Sequence, residues 1–346
     1  MARPQSNLDK GAATEEVLRR YFISLGYFVV RGVPVTVGGD EVTDIDLWLY
    51  SRHSPIVRER VNVDIKNKQR AKAMERILVA RGIRETFGFD RSIVVTSDPR
   101  DVVADFGNTA GVTVFGGDFL KTLIAKHQPG HVRLDEEALI RLLAPDGLGK
   151  LDGNWGDRFR HSKRQLLTRL GFDACNDLLD GLPEYFEVAA TNPHKRQGAL
   201  RFAYLVVAMF LASLDYAIAP ITFDGAEKRR EHVLHGLQFG SEGFERFERA
   251  AAHAAALATA VTGAPATQVR ASIYATVETE EARFAGLADF FGKGPLAHSL
   301  VETARKFESL AYSVPLVEPA TAPGDVRAVL GVLADALRLD RTTMLG

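Results

Sequence analysis

Two short stretches of this chain carry acids and a base at the spacing of a strand: Val42-Thr43-Asp44-Ile45-Asp46-Leu47-Trp48-Leu49-Tyr50 and Val61-Asn62-Val63-Asp64-Ile65-Lys66. Residues two apart on a strand project to one face. Asp64 and Lys66 therefore stand side by side, with Val61, Val63 and Ile65 on the other side. In the first stretch Asp44, Asp46 and Trp48 share a face, and Ile45, Leu47 and Leu49 share the opposite one. If the two strands pair, two carboxylates and an ammonium converge. Such a set suits hydrolysis of a phosphodiester, which needs a metal to neutralise developing charge and activate water, and a further cation near the nucleophile. Magnesium takes oxygen ligands and usually keeps several waters beside one or two carboxylates. The expected ligands are Asp46, Asp64 and the backbone carbonyl of Ile65, with Mn²⁺ as the alternative to Mg²⁺. Lys66 is placed to orient water or stabilise the transition state, and Asp44, a residue pair further out, belongs to the rim.

The elements that must position these groups are legible on either side. A helix from about Thr14 to Leu25 carries Leu18, Tyr21, Phe22 and Leu25 at helical spacing and stops at Gly26. A strand from Tyr27 to Val37 and a Gly38-Gly39-Asp40 hairpin lead into the two strands above. A helix over Ala71–Thr86, a strand over Ser92–Thr96, a helix over Pro99–Asn108 and a strand over Val112–Phe115 follow. The order is αβββαβ, then αβ, which predicts an α/β domain with one mixed sheet over residues 1–128. Beyond about His127 strand signals vanish and Ala/Leu-rich helical patterns take over, from Trp155–Leu170 through Gly324–Leu337. Residues 129–346 are expected to form an all-α domain serving recognition, oligomerisation or regulation. No fixed-period repeat is visible.

On these residues the chain resembles the PD-(D/E)xK nuclease superfamily, the restriction-endonuclease-like fold, and within it the Mrr-type and Holliday-junction-resolvase-like branches. The resemblance covers about residues 10–120. It is carried by Asp46 in its Ile-Asp-Leu setting, the Asp64-Ile65-Lys66 tripeptide, the αβββαβ order and an N-terminal helix bearing an acid. Asp stands before Ile65-Lys66 where Glu is commoner, and no proline precedes Asp46. The resemblance implies that a glutamate of the first helix assists metal binding. Glu15, three positions before Leu18 and seven before Phe22, lies toward the apolar stripe and is preferred to Glu16, which falls nearer Arg20.

Charge is spread unevenly along the chain. Residues 1–128 hold 19 Lys and Arg against 16 Asp and Glu, and residues 52–84 hold ten basic against three acidic. A positive rim around carboxylates suits a substrate held by its phosphates. Lys68, Arg70 and Lys72 beside the tripeptide, and Arg158, Arg160, Lys163 and Arg164 around Phe159 and His161, are the candidate nucleic-acid contacts. The single cysteine, Cys175, rules out an intrachain disulfide and a cysteine-ligated zinc site, and reads as a buried small apolar residue. His232 and His235 share a helix face without a third ligand, so they read as structural. The apolar run Phe202–Leu214 is shorter than a bilayer span and reads as a core helix. The polar start predicts no secretory leader and a cytoplasmic location.

The expected activity is a Mg²⁺-dependent nuclease acting on DNA, with RNA as the less favoured substrate, in a role such as defence against foreign DNA. A homodimer and a regulatory partner for the helical part accompany that expectation, and no membrane association. The rival expectation is an inert nucleic-acid-binding or scaffold protein that retains a nuclease-like domain.

Overall fold

Strand alternation here builds a sheet that is covered on both faces. The computed structural model describes residues 10–67, 72–126, 133–143, 155–293 and 295–342. β1 (Phe28–Val37), β2 (Asp40–Arg52) and β3 (Arg58–Lys66) form an antiparallel meander, and β4 (Arg91–Thr96) and β5 (Thr113–Phe115) continue it in parallel. The spatial order is β1-β2-β3-β4-β5. Helices α1 (Lys10–Ser24), α2 (Ala73–Phe87) and α3 (Asp101–Ala110) complete the expected succession, and a further helix, α4 (Gly117–Lys126), follows it. The β1–β2 turn depends on its glycines: Gly38 and Gly39 have φ of 62° and 98°, a region that side chains rarely adopt.

One face of the sheet is apolar. Leu47, Leu49, Val61, Val63 and Ile65 pack against Leu18 and Phe22 of α1 and Leu120 and Leu123 of α4. The other face takes α2 and α3, whose Ala73, Ile77, Ala80 and Val103 close over Val94. Alternation therefore sorts the faces correctly, but the polar row is not a solvated one. Trp48, Asn62 and Asp64 are all buried. Asn62 donates from Nδ2 to the Ala80 carbonyl at 3.2 Å, and Ser92 Oγ donates to Asn62 Oδ1 at 2.5 Å, which joins β3, β4 and α2.

The chain divides into two compact units. The first comprises Met1–Thr168, Leu200–Leu205 and Glu308–Leu316, and the second Arg169–Ala199, Val206–Phe307 and Val317–Gly346. The boundary expected at residue 128 is thus displaced: α5 (Glu136–Leu143) and α6 (Trp155–Thr168) belong with the sheet, because their charged side chains complete its buried ion pairs. Helices then dominate: α7 (Phe172–Thr191), α8 (Arg196–Ile218), α9 (Ala226–Phe239), α10 (Gly243–Thr262), α11 (Ala266–Ala288), α12 (Leu300–Ala311) and α13 (Gly324–Ala336). α8 carries the Phe202–Leu214 run. It is the one helix among the described residues long and apolar enough to cross a membrane, and 83% of its apolar window is buried, as in a core helix.

Candidate functional site

β2 and β3 pair from Arg52 opposite Arg58 to Leu47 opposite Val63, and there the register ends. The next residues are Asp46 and Asp64, on the face toward α2. The Ile65 N–H, no longer paired with β2, donates to Asp46 Oδ2 at 2.5 Å. Burial is the largest influence on the Asp46 carboxyl and raises its pKa above the ordinary aspartate value; the Ile65 N–H, Lys66 and Arg76 pull it down without cancelling that effect. A carboxylate desolvated in this way gains from any further cation.

Asp64 meets such a cation from the protein itself. Arg76, in the first turn of α2, donates from Nε to Asp64 Oδ2 at 2.9 Å and from its terminal nitrogen to Oδ1. Lys66 ends β3, half-buried, and its carbonyl accepts the Ser97 N–H at 3.3 Å. Its ammonium makes no ion pair among the described residues and acts on Asp46 through space. Asp44 is exposed, as a rim residue should be. Asp46, Asp64 and Lys66 thus come together where the sequence predicts, and Ile65 adds an N–H to the same place.

Glu15 is brought near but not into the pair. Asn67, just after β3, donates to Thr14 Oγ1 at 2.9 Å and so fixes α1 beside the end of the strand. Burial raises the Glu15 carboxyl despite Arg31, whose Nε donates to it at 2.6 Å, and Asp46 is among the charges pushing it up. The charge of Asp46 reaches Glu15, and among the described residues no three His, Cys, Asp or Glu side chains are grouped so as to hold a metal ion.

Glu16 does not lie toward an exposed side as its helical position suggests. It is buried at 4% exposure, bonded at 3.3 Å to both Arg19 and Arg31 and accepting the Glu136 N–H. Arg19 in turn pairs with Glu308 at 2.6 Å and stacks 3.9 Å from the Tyr312 ring, which Arg133 covers at 4.7 Å. Nothing in the local pattern of α1 reveals these partners, which lie up to 289 residues away.

The basic candidates separate into four groups. Lys163 is buried and cannot meet a surface ligand: its ammonium donates to the Arg31 carbonyl at 2.6 Å and to Glu136, and burial lowers its pKa. Arg158, Arg160 and Arg164 line a cleft of about 430 Å³ with Pro34, Thr36 and Glu41, and Arg160 pairs with Glu41 there. Lys72 is exposed and pairs with Glu75 at 3.2 Å. Lys68 and Arg70 lie outside the described residues. In the second unit Cys175 is buried and free, and His232 turns its ring to Phe172 and the Ala217 carbonyl.

Sequence reasoning passes over Arg76 and Arg31. For Arg76 a signal exists: Ala73, Ile77 and Ala80 form the buried stripe of α2, and Arg76 falls on it, one turn after Ala73. A charge on a buried stripe needs a counter-charge, and Asp64 is the one the preceding strand offers. Comparison with models of protein families, with curated proteins and with solved structures finds no match.

Proposed function

We propose that the first unit is a divalent-metal-dependent phosphodiesterase. More particularly, we infer a nuclease of the PD-(D/E)xK kind acting on DNA, with Mg²⁺ or Mn²⁺ as its cofactor. The observation that carries this reading is the juxtaposition of Asp46 and Asp64 where β2 and β3 part, with Lys66 next on the same face and Asp46 desolvated. Two carboxylates and a backbone oxygen fit an ion that keeps most of its waters. Asp46 and Asp64 would hold it, with the Ile65 carbonyl beside them. When bound, such an ion neutralises charge on the phosphate and lowers the pKa of water.

The protein's own residues supply the remainder. The Ile65 N–H fixes the Asp46 carboxylate, and the Arg31 guanidinium fixes Glu15 next to it. Lys66 brings an ammonium that is free to steady the attacking water or the charge gathering on the phosphate oxygens. Water oxygen forms the new bond to phosphorus as the bond to the leaving alkoxide breaks. The excess of basic residues between positions 52 and 84, with Arg158, Arg160 and Arg164 at their cleft, supports a nucleic-acid backbone as substrate.

Parallel assays on duplex DNA, branched DNA, single strands and RNA, each with Mg²⁺ and Mn²⁺, test the proposal. Duplex or branched DNA is the expected substrate. Asp64→Ala should abolish cleavage, and Lys66→Ala should slow it about 10²–10³-fold; parental rates in both variants would remove the assignment. One observation favours the rival reading of an inert nucleic-acid-binding protein: Arg76 already compensates Asp64. That reading predicts no Mn²⁺ affinity dependent on Asp46 and Asp64.

A further inference from the structure

We propose that Arg76 holds the metal position at Asp64 in the absence of a divalent ion and, once displaced, turns its guanidinium to the scissile phosphate. The inference rests on the metal-dependent reading of Asp46 and Asp64. Arg76 engages both oxygens of Asp64 with two of its nitrogens, so a metal ion approaching the carboxylate on that side must compete with this fork. Burial lowers the Arg76 pKa and the charge of Asp46 works against that, so Arg76 feels Asp46 as well as the Asp64 it bonds.

Three features distinguish this pair from a structural clamp. First, α2 is fastened without it: Ala73, Ile77 and Ala80 are buried in the sheet face, and the Ala80 carbonyl receives Asn62 and Ser92. Second, the Arg76 side chain is 23% exposed whereas that of Asp64 is 8%, so the guanidinium has a way out and the carboxylate does not. Third, release from Asp64 leaves the Arg76 guanidinium without the carboxylate it pairs with. A nucleic-acid backbone supplies negative charge that can take its place. A guanidinium fork matches phosphate oxygens as well as it matches a carboxylate, so release from Asp64 leaves Arg76 suited to the substrate.

The test is calorimetric titration of the full chain with Mn²⁺, comparing parent, Arg76→Ala, Arg76→Gln, Arg76→Lys and Asp64→Ala, with circular dichroism to confirm folding. Arg76→Ala and Arg76→Gln should bind Mn²⁺ about tenfold more tightly than the parent, Arg76→Lys should fall between, and Asp64→Ala should not bind. Duplex DNA binding measured in Ca²⁺ should weaken about fivefold or more in Arg76→Ala and stay unchanged in chelator. Equal Mn²⁺ affinity in parent and both neutral variants overturns the role of Arg76 and leaves the metal site standing. Tighter Mn²⁺ with unaltered DNA affinity in Ca²⁺ overturns the phosphate contact. No Mn²⁺ binding by parent or variants overturns the underlying metal reading itself.

Discussion

Because burial raises the Asp46 carboxyl above the ordinary aspartate value of 3.8, the folded chain holds this proton more tightly than the unfolded chain does. The sign of the linkage follows. Below the ordinary value both states are protonated and no penalty exists; as pH rises through the raised value the folded state must expose a desolvated charge, and stability is lost. Asp46→Asn keeps an oxygen to accept the Ile65 N–H and removes that charge. At neutral pH it should stabilise the chain by ~0.5–2 kcal/mol, and the gain should shrink as pH falls toward the aspartate range. Differential scanning calorimetry across that range checks it, and a gain that is flat with pH would count against burial as the cause. Alternation was enough to find Asp46, Asp64 and Lys66, because face is a strictly local property of a strand. It could not show that their face is buried, since α2 arrives from later in the chain. Lys163 and Glu16 were opaque for the same reason: the helical period identifies which neighbours share a face, not which distant charge will cover it.

α1 shows how much of an element's position comes from such distant charges. Its Leu18 and Phe22 bind it to the sheet as the apolar period predicts, but Glu16 and Arg19 carry it into a buried network with Arg31, Arg133, Glu136, Glu308 and Tyr312. Burial pushes the Glu308 carboxyl up, yet Arg133 and Arg19 outweigh it and hold its pKa below the ordinary value. Glu16 is lowered in the same way by Arg19 and Arg31 against its burial. For an acid with a lowered folded pKa, the stabilisation is present above the unfolded value of 4.5 and is lost as pH falls through the folded value. The first unit should therefore lose stability on acidification below the ordinary glutamate range, and Glu308→Ala should remove that part of the acid response. Removing one partner from a buried pair leaves its charge uncompensated, so Glu308→Ala should cost about 3–5 kcal/mol at neutral pH. Chemical denaturation at neutral and acidic pH measures both effects. A cost below about 1 kcal/mol would mean that water reaches Arg19 when Glu308 is gone.

At the scale of the whole chain, the compact unit around the sheet is not the segment that its strands delimit. The succession of strands and helices through Phe115 was legible, since each element carries its own period and stop. Where that unit ends was not, because three later segments return to it. Lys163 of α6 donates to the Arg31 carbonyl of β1, and Trp155 and Phe159 of the same helix lie 6.1 and 4.8 Å from the Phe202 ring. Leu134 donates from its N–H to the Tyr312 carbonyl at 2.9 Å, and Arg201 donates to the carbonyls of Ala311 and Ser313. A fragment ending at residue 128 keeps every strand but leaves Arg19, 1% exposed in the full chain, with Glu16 as its sole carboxylate, and Arg31 without Glu137. Such a fragment should show no cooperative thermal transition by near-ultraviolet circular dichroism. Extending it to Thr168 restores Glu136, Glu137 and Lys163 but not Glu308 or Tyr312, so it too should melt without cooperativity. A cooperative melt of the 128-residue fragment would show instead that the sheet and its four helices suffice, and that the later segments decorate a core already complete.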